Sequence, residues 1–137
     1  MSSLAYYTLF IGRDGKFYFN LKAGNHKIIL RCTERYRSKT DALTGIRSVQ
    51  NNCKDRSNYV IKTAVNSEDY FVLRAKNYEP IGLSETYTQK SGLENGLESV
   101  QNNGTTGNIK GEVEQWFEII IDGKTYSAKV GSMTGKQ

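Results

Sequence analysis

One pentapeptide, Ser-Val-Gln-Asn-Asn, occurs twice in this chain, at residues 48–52 and again at 99–103. Flanking residues recur in the same order, so that Gly45 in the first copy matches Gly96 in the second. An internal duplication constrains the fold strongly, because two copies of one unit must bury their apolar faces against each other or against further units. Two complete copies are too few for a solenoid or a propeller, and we therefore expect a pseudo-two-fold pair.

Each copy has the pattern of three strands followed by a helix. Residues 16–22 alternate apolar and polar side chains, which predicts a strand with one buried face. Further along, apolar residues recur at spacings of three and four, and Ser38 followed by Asp41 resembles a capping box at a helix start. The helix is expected to end near residues 51–52, with an asparagine in the left-handed conformation. The recurrence of Gly45 predicts a close approach of helix and sheet.

The C-terminal region differs from the repeats. A stretch rich in glycine, threonine and asparagine is predicted to be a linker, and Asp-Gly between two alternating runs then predicts a tight hairpin. A two-residue loop would pair Ile119 with Tyr126 and Phe117 with Ala128. This hairpin is expected to pack on the sheet of its own chain; the alternatives are pairing with another chain or accepting a peptide strand.

These patterns together predict an α+β fold. Two tandem β3α repeats merge into one antiparallel sheet with helices packed on one face, and a C-terminal β-hairpin resembles the start of a third repeat. The predicted units are a first repeat at 5–53, a second at 58–104, a linker at 105–112 and the hairpin at 113–131, all within a single compact domain over 1–137.

The charge is distributed unevenly along the chain. The net charge of the 137 residues is +5, but residues 1–66 hold twelve Lys or Arg against four Asp or Glu, whereas residues 67–137 hold seven against ten. The first half therefore carries +8 and the second −3. This pattern would attract an anionic partner to the first repeat, but attraction between the two copies or drift of surface charge without a function accounts for it more simply.

Apolar runs and cysteines indicate the compartment. No run approaches the ~20 apolar residues that cross a bilayer, and no secretion signal is visible, so we expect a cytoplasmic protein that does not bind membranes. Cys32 and Cys53 lack a CxxC spacing and are expected to be reduced thiols, although a bridge between them stays open.

The residues needed for catalysis are sparse. His26 is the single histidine and falls in a predicted turn, where we expect it to be solvated. Nucleotide-binding glycine motifs are missing, and no set of residues has the spacing of a metal site. We therefore expect no enzyme activity, no cofactor and no metal.

A basic and aromatic surface is the best candidate for binding. If Phe17, Phe19 and Leu21 face the helices, the opposite face of the same strand presents polar and aromatic side chains that could stack bases and contact phosphates. The candidate surface comprises Tyr18, Lys22, Lys27, Arg31, Arg35, Arg37, Lys39, Arg47, Tyr70 and Arg74.

The repeat resembles the YegP-like family, small bacterial proteins of unknown function. The resemblance lies in Tyr-Phe-Asn-Leu-Lys-Ala-Gly-Asn at 18–25, Tyr-Arg-Ser-Lys at 36–39 and Gly-Ile-Arg-Ser-Val-Gln-Asn at 45–51, with weaker counterparts in the second copy. It implies tandem units of three strands and a helix, merged into one antiparallel sheet, and it supplies no catalytic residue.

The sequence thus predicts a non-enzymatic interaction or stress-associated module. The alternative is a weak, sequence-tolerant nucleic-acid binder that uses the basic face of the first repeat. The partner is unknown and could be protein or nucleic acid, and the chain is expected to be a monomer with internal pseudo-two-fold symmetry.

Overall fold

The computed structural model describes residues 4–111 with their side chains and residues 116–121 and 124–129 as backbone strands. Within these ranges the elements are β1 (Tyr6–Ile11), β2 (Phe17–Lys22), β3 (Ile28–Arg31), α1 (Lys39–Asn52), a short 3-10 turn (Arg56–Asn58), β4 (Tyr59–Thr63), β5 (Asp69–Arg74), β6 (Pro80–Leu83), α2 (Lys90–Asn103), β7 (Ile109–Gly111), β8 (Trp116–Ile121) and β9 (Lys124–Lys129).

The first seven strands form one sheet in the order β4-β5-β6-β3-β2-β1-β7. The two repeats meet where β3 pairs with β6 through Arg31 and Leu83, so the predicted merged sheet is confirmed. The sheet is not wholly antiparallel, because β7 runs parallel to β1. Residues 109–111 fall inside the predicted linker, and there the chain forms a strand that pairs with β1, more than a hundred residues earlier.

β8 and β9 form a two-stranded sheet of their own. Ile119 pairs with Tyr126 and Phe117 with Ala128, as the spacing around Asp-Gly predicts. Residues 122 and 123, which were predicted to form the turn, lie outside the described residues.

The four hairpins within the repeats share one turn design. In each turn an Asn or Asp side chain accepts a hydrogen bond from the backbone N–H two residues later, and the intervening residue has positive φ. A short side-chain acceptor can take the place of a backbone one in this way, which is why these residues are common in turns. The residues with positive φ are Gly15, His26, Ser67 and Tyr78.

Helix α1 begins as predicted but ends differently. The Ser38 hydroxyl accepts a hydrogen bond from the Asp41 N–H at 3.0 Å, which caps the helix start. At the other end, residues 51 and 52 are both helical and the capping residue Cys53 is right-handed (φ −71°). The prediction of a left-handed asparagine is therefore wrong. The Asn52 amide instead donates to the Ser48 carbonyl at 2.8 Å, and this bond holds the last turn in helical geometry.

The repeated pentapeptide therefore has a structural role in both copies. At the end of α2, the Asn103 amide donates to the Ser99 carbonyl, also at 2.8 Å. The first serine and the last asparagine of the pentapeptide are thus fixed relative to each other one helical turn apart.

Both helices pack on the same face of the sheet. Tyr7, Phe19, Leu21 and Leu30 from the first repeat are fully buried there, together with apolar residues of both helices. Each helix contacts the central strand of its own repeat and the third strand of the other: α1 lies on β2 and β6, and α2 on β5 and β3. The two repeats therefore share one core.

The two helical glycines make room for tyrosines. A Cβ built on Gly45 would lie 2.7 Å from Cζ of Tyr36, and one built on Gly96 would lie 2.8 Å from Cζ of Tyr87. Tyr36 and Tyr87 occupy matching positions, and each closes its own repeat by pairing with β2 or β5. The close approach predicted from the glycines is thus made by these tyrosine rings, with Phe19 also near Gly45.

The internal two-fold axis passes between equivalent residues that differ in size. Leu30 and Gly82 are equivalent, and a Cβ on Gly82 would lie 2.5 Å from Cδ2 of Leu30. Cys53 and Gly104 follow the two helices at equivalent positions, and a Cβ on Gly104 would lie 2.6 Å from Sγ of Cys53. Two equivalent residues that meet at an axis compete for one volume, and at both places the second repeat provides glycine.

Two buried tyrosines bind across the same axis. The Tyr7 hydroxyl of β1 donates to the Gly104 carbonyl after α2 at 2.6 Å, and the equivalent Tyr59 hydroxyl of β4 donates to the Cys53 carbonyl after α1 at 2.5 Å. Burial raises the pKa of both hydroxyls, because the ionised form would lose its hydration. Each repeat thus supplies the group that satisfies the end of the other repeat's helix.

Candidate binding face of the sheet

The face of the seven-stranded sheet opposite the helices, called the open face below, can be derived from the strand register. Residues directly opposite each other on neighbouring strands point to the same side of a sheet. One such row crosses the whole sheet and contains Lys110, Thr8, Asn20, Arg31, Leu83, Val72 and Val60. Residues two positions away on each strand share this face, because side chains alternate.

The strand residues of the open face include cations and no carboxylate. Its cationic side chains are Lys22, Arg31, Lys62, Arg74 and Lys110. Arg31, Lys62 and Lys110 are exposed, and Lys22 and Arg74 are half-buried. Because no acidic strand residue offsets these charges, this face of the described sheet presents positive potential to an approaching ligand.

Aromatic rings lie beside the cations at the β1–β2 end of the open face. Phe10 and Tyr18 are half-buried and stack at 5.7 Å between ring centroids, with an angle of 17° between the planes. The Tyr18 hydroxyl donates to a carboxylate oxygen of Asp14 at the edge of the sheet. This bond raises the pKa of Tyr18 and lowers that of Asp14. It also fixes the tyrosine ring beside Phe10.

Tyr6 lies further along β1 and is held by two other residues. Its hydroxyl shares a hydrogen bond of 2.8 Å with Nδ1 of His26, and the ammonium group of Lys110 lies 4.2 Å from its ring centroid. His26 is exposed in its turn, as predicted, and in addition contacts the sheet through this bond.

Two polar atoms on the open face are buried without a hydrogen-bond partner in the part of the chain that the structure describes. They are Oγ1 of Thr8 and Nε of Arg74. The guanidinium of Arg74 lies over the ring of Tyr78, with 5.1 Å between Cζ and the ring centroid. Unsatisfied buried polar groups are uncommon in folded proteins, and binding sites are one place where they occur.

The ten residues of the predicted surface are divided by the fold. Tyr18, Lys22, Arg31, Tyr70 and Arg74 lie on the open face, as strand alternation predicts. Lys27 lies in the β2–β3 turn, Arg35 and Arg37 lie between β3 and α1, and Lys39 and Arg47 lie on α1. Arg37, Lys39 and Arg47 thus form a group on the helix side, whereas Arg35 reaches the end of the open face, where its guanidinium lies 3.9 Å from the Asp14 carboxylate and borders Phe10 and Tyr18.

Sequence reasoning missed three members of the open face. Phe10 and Lys62 are equivalent positions opposite Tyr18 and Tyr70, so the repeat alignment combined with strand pairing could have found them. Lys110 could not have been found in this way, because only the parallel pairing of β7 with β1 brings it to this face.

A groove of mixed charge lies on the helix side. This groove has a volume of about 450 Å³ and lies between the β3–α1 segment, α1 and Ile81 of β6. Arg35 and Arg37 border it together with Glu34 and Asp41. Because carboxylates and guanidinium groups alternate there, the groove is less suited to a polyanion than the open face.

Two further predictions concern a disulfide bridge and membrane-spanning segments. Cys32 and Cys53 are free, so the disulfide that the sequence left open is not formed. Burial raises the pKa of both thiols, which keeps them protonated and poorly nucleophilic at neutral pH. Neither helix in the described residues is long and apolar enough to span a membrane.

Comparison with known proteins gives consistent matches over the repeats. A family model described as a domain of unknown function, DUF1508, matches residues 13–59 and again 64–110. A UPF0339 protein of Mannheimia succiniciproducens is 45% identical over 79% of this chain and 95% of its own length. The UPF0339 protein YegP of Yersinia pestis is 44% identical over 79% of this chain and 96% of its own length.

Two solved structures are similar in fold. The solution structure of a UPF0339 protein from Shewanella oneidensis superposes with a TM-score of 0.73 at 40% identity, covering 81% of this chain and 92% of that one. The solution structure of YegP from E. coli superposes with a TM-score of 0.75 at 39% identity, covering 82% of this chain and 96% of that one. From its two tandem matches to the family model and its relatives over most of their length, this chain belongs to the DUF1508 (UPF0339, YegP-like) family, whose function is unknown.

Proposed function

We propose that the protein is a non-enzymatic binding module whose open sheet face binds single-stranded nucleic acid with little sequence preference. The observation that carries the proposal is the composition of this face: five cations and no acidic strand residue, in a single layer with half-buried aromatic rings. Cations that follow a groove or a sheet bind phosphates, and exposed rings stack with unpaired bases.

The geometry suits a strand of nucleic acid better than a small ligand. The row from Lys110 to Val60 crosses seven strands, which at a spacing of about 4.8 Å is about 29 Å. Its cations are spread across this width and do not converge on one point, so they match a repeating polyanion. The binding expected of such a surface is tolerant of sequence, because phosphate contacts carry no base information.

The test measures binding of a labelled single-stranded RNA as a function of salt concentration. The variant Lys22→Gln/Arg31→Gln/Lys110→Gln removes three open-face cations. The matched control Arg37→Gln/Lys39→Gln/Arg47→Gln removes three exposed cations from the helix side. Both variants have the same net charge, so a difference between them reports position and not total charge.

If all three open-face cations contact phosphates, their removal reduces the slope of log K against log salt by about 2, since each contact with a single strand contributes about 0.7. The control variant keeps the slope of the wild-type chain. Equal weakening in both variants would show that only the net charge matters, and no binding by the wild-type chain at low salt would refute the proposal.

A further inference from the structure

We infer that the hairpin β8–β9 of one copy of this chain adds to strand β4 of a second copy, which makes the protein a dimer or a larger assembly. The inference starts from the two outer strands of the repeats. β1 and β4 are equivalent, and each pairs on its inner side with the central strand of its repeat. On its outer side β1 is covered by β7, whereas no described strand pairs with the outer side of β4.

The uncovered strand has few of the features that prevent strand addition. β4 is five residues long and contains no proline, and its sequence is Tyr-Val-Ile-Lys-Thr. Ile61, in the middle of the strand, exposes 41% of its surface. Edge strands that stay unpaired usually have prolines, bulges or several charges, and β4 has only Lys62.

The hairpin, by contrast, gains stability from a third strand. An isolated two-stranded hairpin is at best marginally stable in water. β8 has the sequence Trp-Phe-Glu-Ile-Ile-Ile, which is five apolar residues out of six, and its length of six residues suits the five of β4. Its single charged residue, Glu118, is opposite in sign to Lys62, the single charged residue of β4, and opposite charges on neighbouring strands attract.

The sheet order excludes pairing of the hairpin with β4 of the same chain. β7 and β4 are the two outer strands of the sheet, separated by six strand spacings of about 4.8 Å, or about 29 Å. Four residues separate Gly111 at the end of β7 from Trp116 at the start of β8, so the two are joined by five Cα–Cα steps that span at most about 18 Å when fully extended. Strand β8 must start within this distance of β7, and β9 pairs with β8. Neither strand can therefore lie along β4 of its own chain.

The hairpin is also the part of the chain that lies beyond the second family-model match, which ends at residue 110. Dimer formation through it would be a property of this chain, and the open face used in the proposed function would stay on the outside of the sheet. The expectation of a monomer, drawn from the internal symmetry of the repeats alone, takes no account of this addition.

The test is the oligomeric state of the full-length chain by light scattering during size-exclusion chromatography over a range of concentrations. The key variant is Ile61→Lys, which places a second charge on the β4 edge. The matched control is Val65→Lys, which makes the same kind of change at a fully exposed residue two positions after the end of β4. We expect the wild-type chain and Val65→Lys to be dimeric or larger, and Ile61→Lys to dissociate at least about tenfold more readily.

A second measurement on the wild-type chain does not depend on the folding of a variant. Amide hydrogen exchange at residues 59–63 and 116–121 should slow as the protein concentration rises, because both strands gain hydrogen-bond partners in the assembly. The inference is wrong if the wild-type chain is a monomer at every concentration and these amides exchange at a constant rate. It is also wrong if Ile61→Lys folds and assembles as well as Val65→Lys.

Discussion

The two repeats have the same scaffold but differ at the places where they meet and at their outer edges. Both have a tyrosine packed on a helical glycine, an asparagine bonded back onto its own helix, and a strand tyrosine that satisfies the other repeat's helix end. At the axis between them the first repeat provides Leu30 and Cys53, and the second provides two glycines. The two copies of a duplicated unit can keep the same residues at most positions. They must differ where equivalent residues meet at the axis and would occupy the same space.

The outer edges differ for another reason. The equivalent strands β1 and β4 are the outer strands of the two repeats, and the segment that follows the second repeat pairs with β1 as β7. The second edge therefore has no equivalent cover within the described sheet. The two internal copies therefore differ at their outer edges as well as at the axis, and the assembly inferred above depends on the difference at the edges.

The largest effect is expected from making the axis symmetrical. Gly82→Leu would place two leucines in the volume that Leu30 now fills, and overpacking a buried site costs about 3 kcal/mol of unfolding free energy. The exchange variant Leu30→Gly/Gly82→Leu moves the large residue to the other repeat and should recover most of this loss. Denaturant unfolding of the wild-type chain and the two variants measures both quantities. An exchange variant no more stable than Gly82→Leu would show that the two positions are not interchangeable.

A smaller effect is expected from removing either tyrosine hydroxyl that crosses the axis. Tyr7→Phe and Tyr59→Phe each leave a buried carbonyl unpaired, at Gly104 and Cys53, and should each cost about 1 to 2 kcal/mol. Because the two bonds are equivalent, thermal or denaturant unfolding should give similar losses. A loss confined to one variant would mean that one helix end finds another partner.

Replacing each helical glycine with alanine should change the unfolding free energy by amounts that differ by about 1 kcal/mol between the two repeats. Alanine stabilises a helix by about 1 kcal/mol relative to glycine. This gain offsets part of the cost of the close contact between the new Cβ and the tyrosine hydroxyl. At Gly96 the three atoms nearest to an added Cβ all belong to the half-buried Tyr87, whose ring can shift toward solvent, so Gly96→Ala should be nearly neutral. At Gly45 a Cβ would also lie 3.0 Å from the fully buried Phe19, so Gly45→Ala should be destabilising. Unfolding curves that rank the two variants in the reverse order would contradict this account.

The smallest effect concerns alkaline pH. Burial raises the pKa of Tyr36 from 10 to about 12, and also raises that of Tyr87. The folded state therefore holds this proton more tightly, so the stability it contributes is intact below about pH 10 and is lost as pH rises toward about 12. Tyr36→Phe should reduce the loss of stability in this range more than Tyr87→Phe does. Thermal melts at several alkaline pH values test this order. Equal slopes of melting temperature against pH in the two variants would contradict the expected difference between the repeats.

The candidate site was predicted in part, and the reason can be seen in single residues. Strand alternation around Phe19 was enough to predict that Tyr18 and Lys22 share a face, because this pattern is local. Arg37 and Lys39 were placed in the same cluster from their nearness in sequence, but the chain crosses from the sheet to α1 between β3 and Lys39. Charge in a sequence segment does not specify which side of a sheet the segment reaches.

Local sequence patterns were sufficient to predict the repeated units: their strands, the capped start of α1 at Ser38 and the pairing of Ile119 with Tyr126. These features depend on interactions between residues close in the chain, where periodicity and turn residues suffice. Only the folded chain shows that Leu30 fills the space over Gly82, that β7 covers β1 and that β4 is left uncovered. These outcomes depend on contacts between distant residues that compete for one volume or one strand edge, and no local pattern encodes that competition.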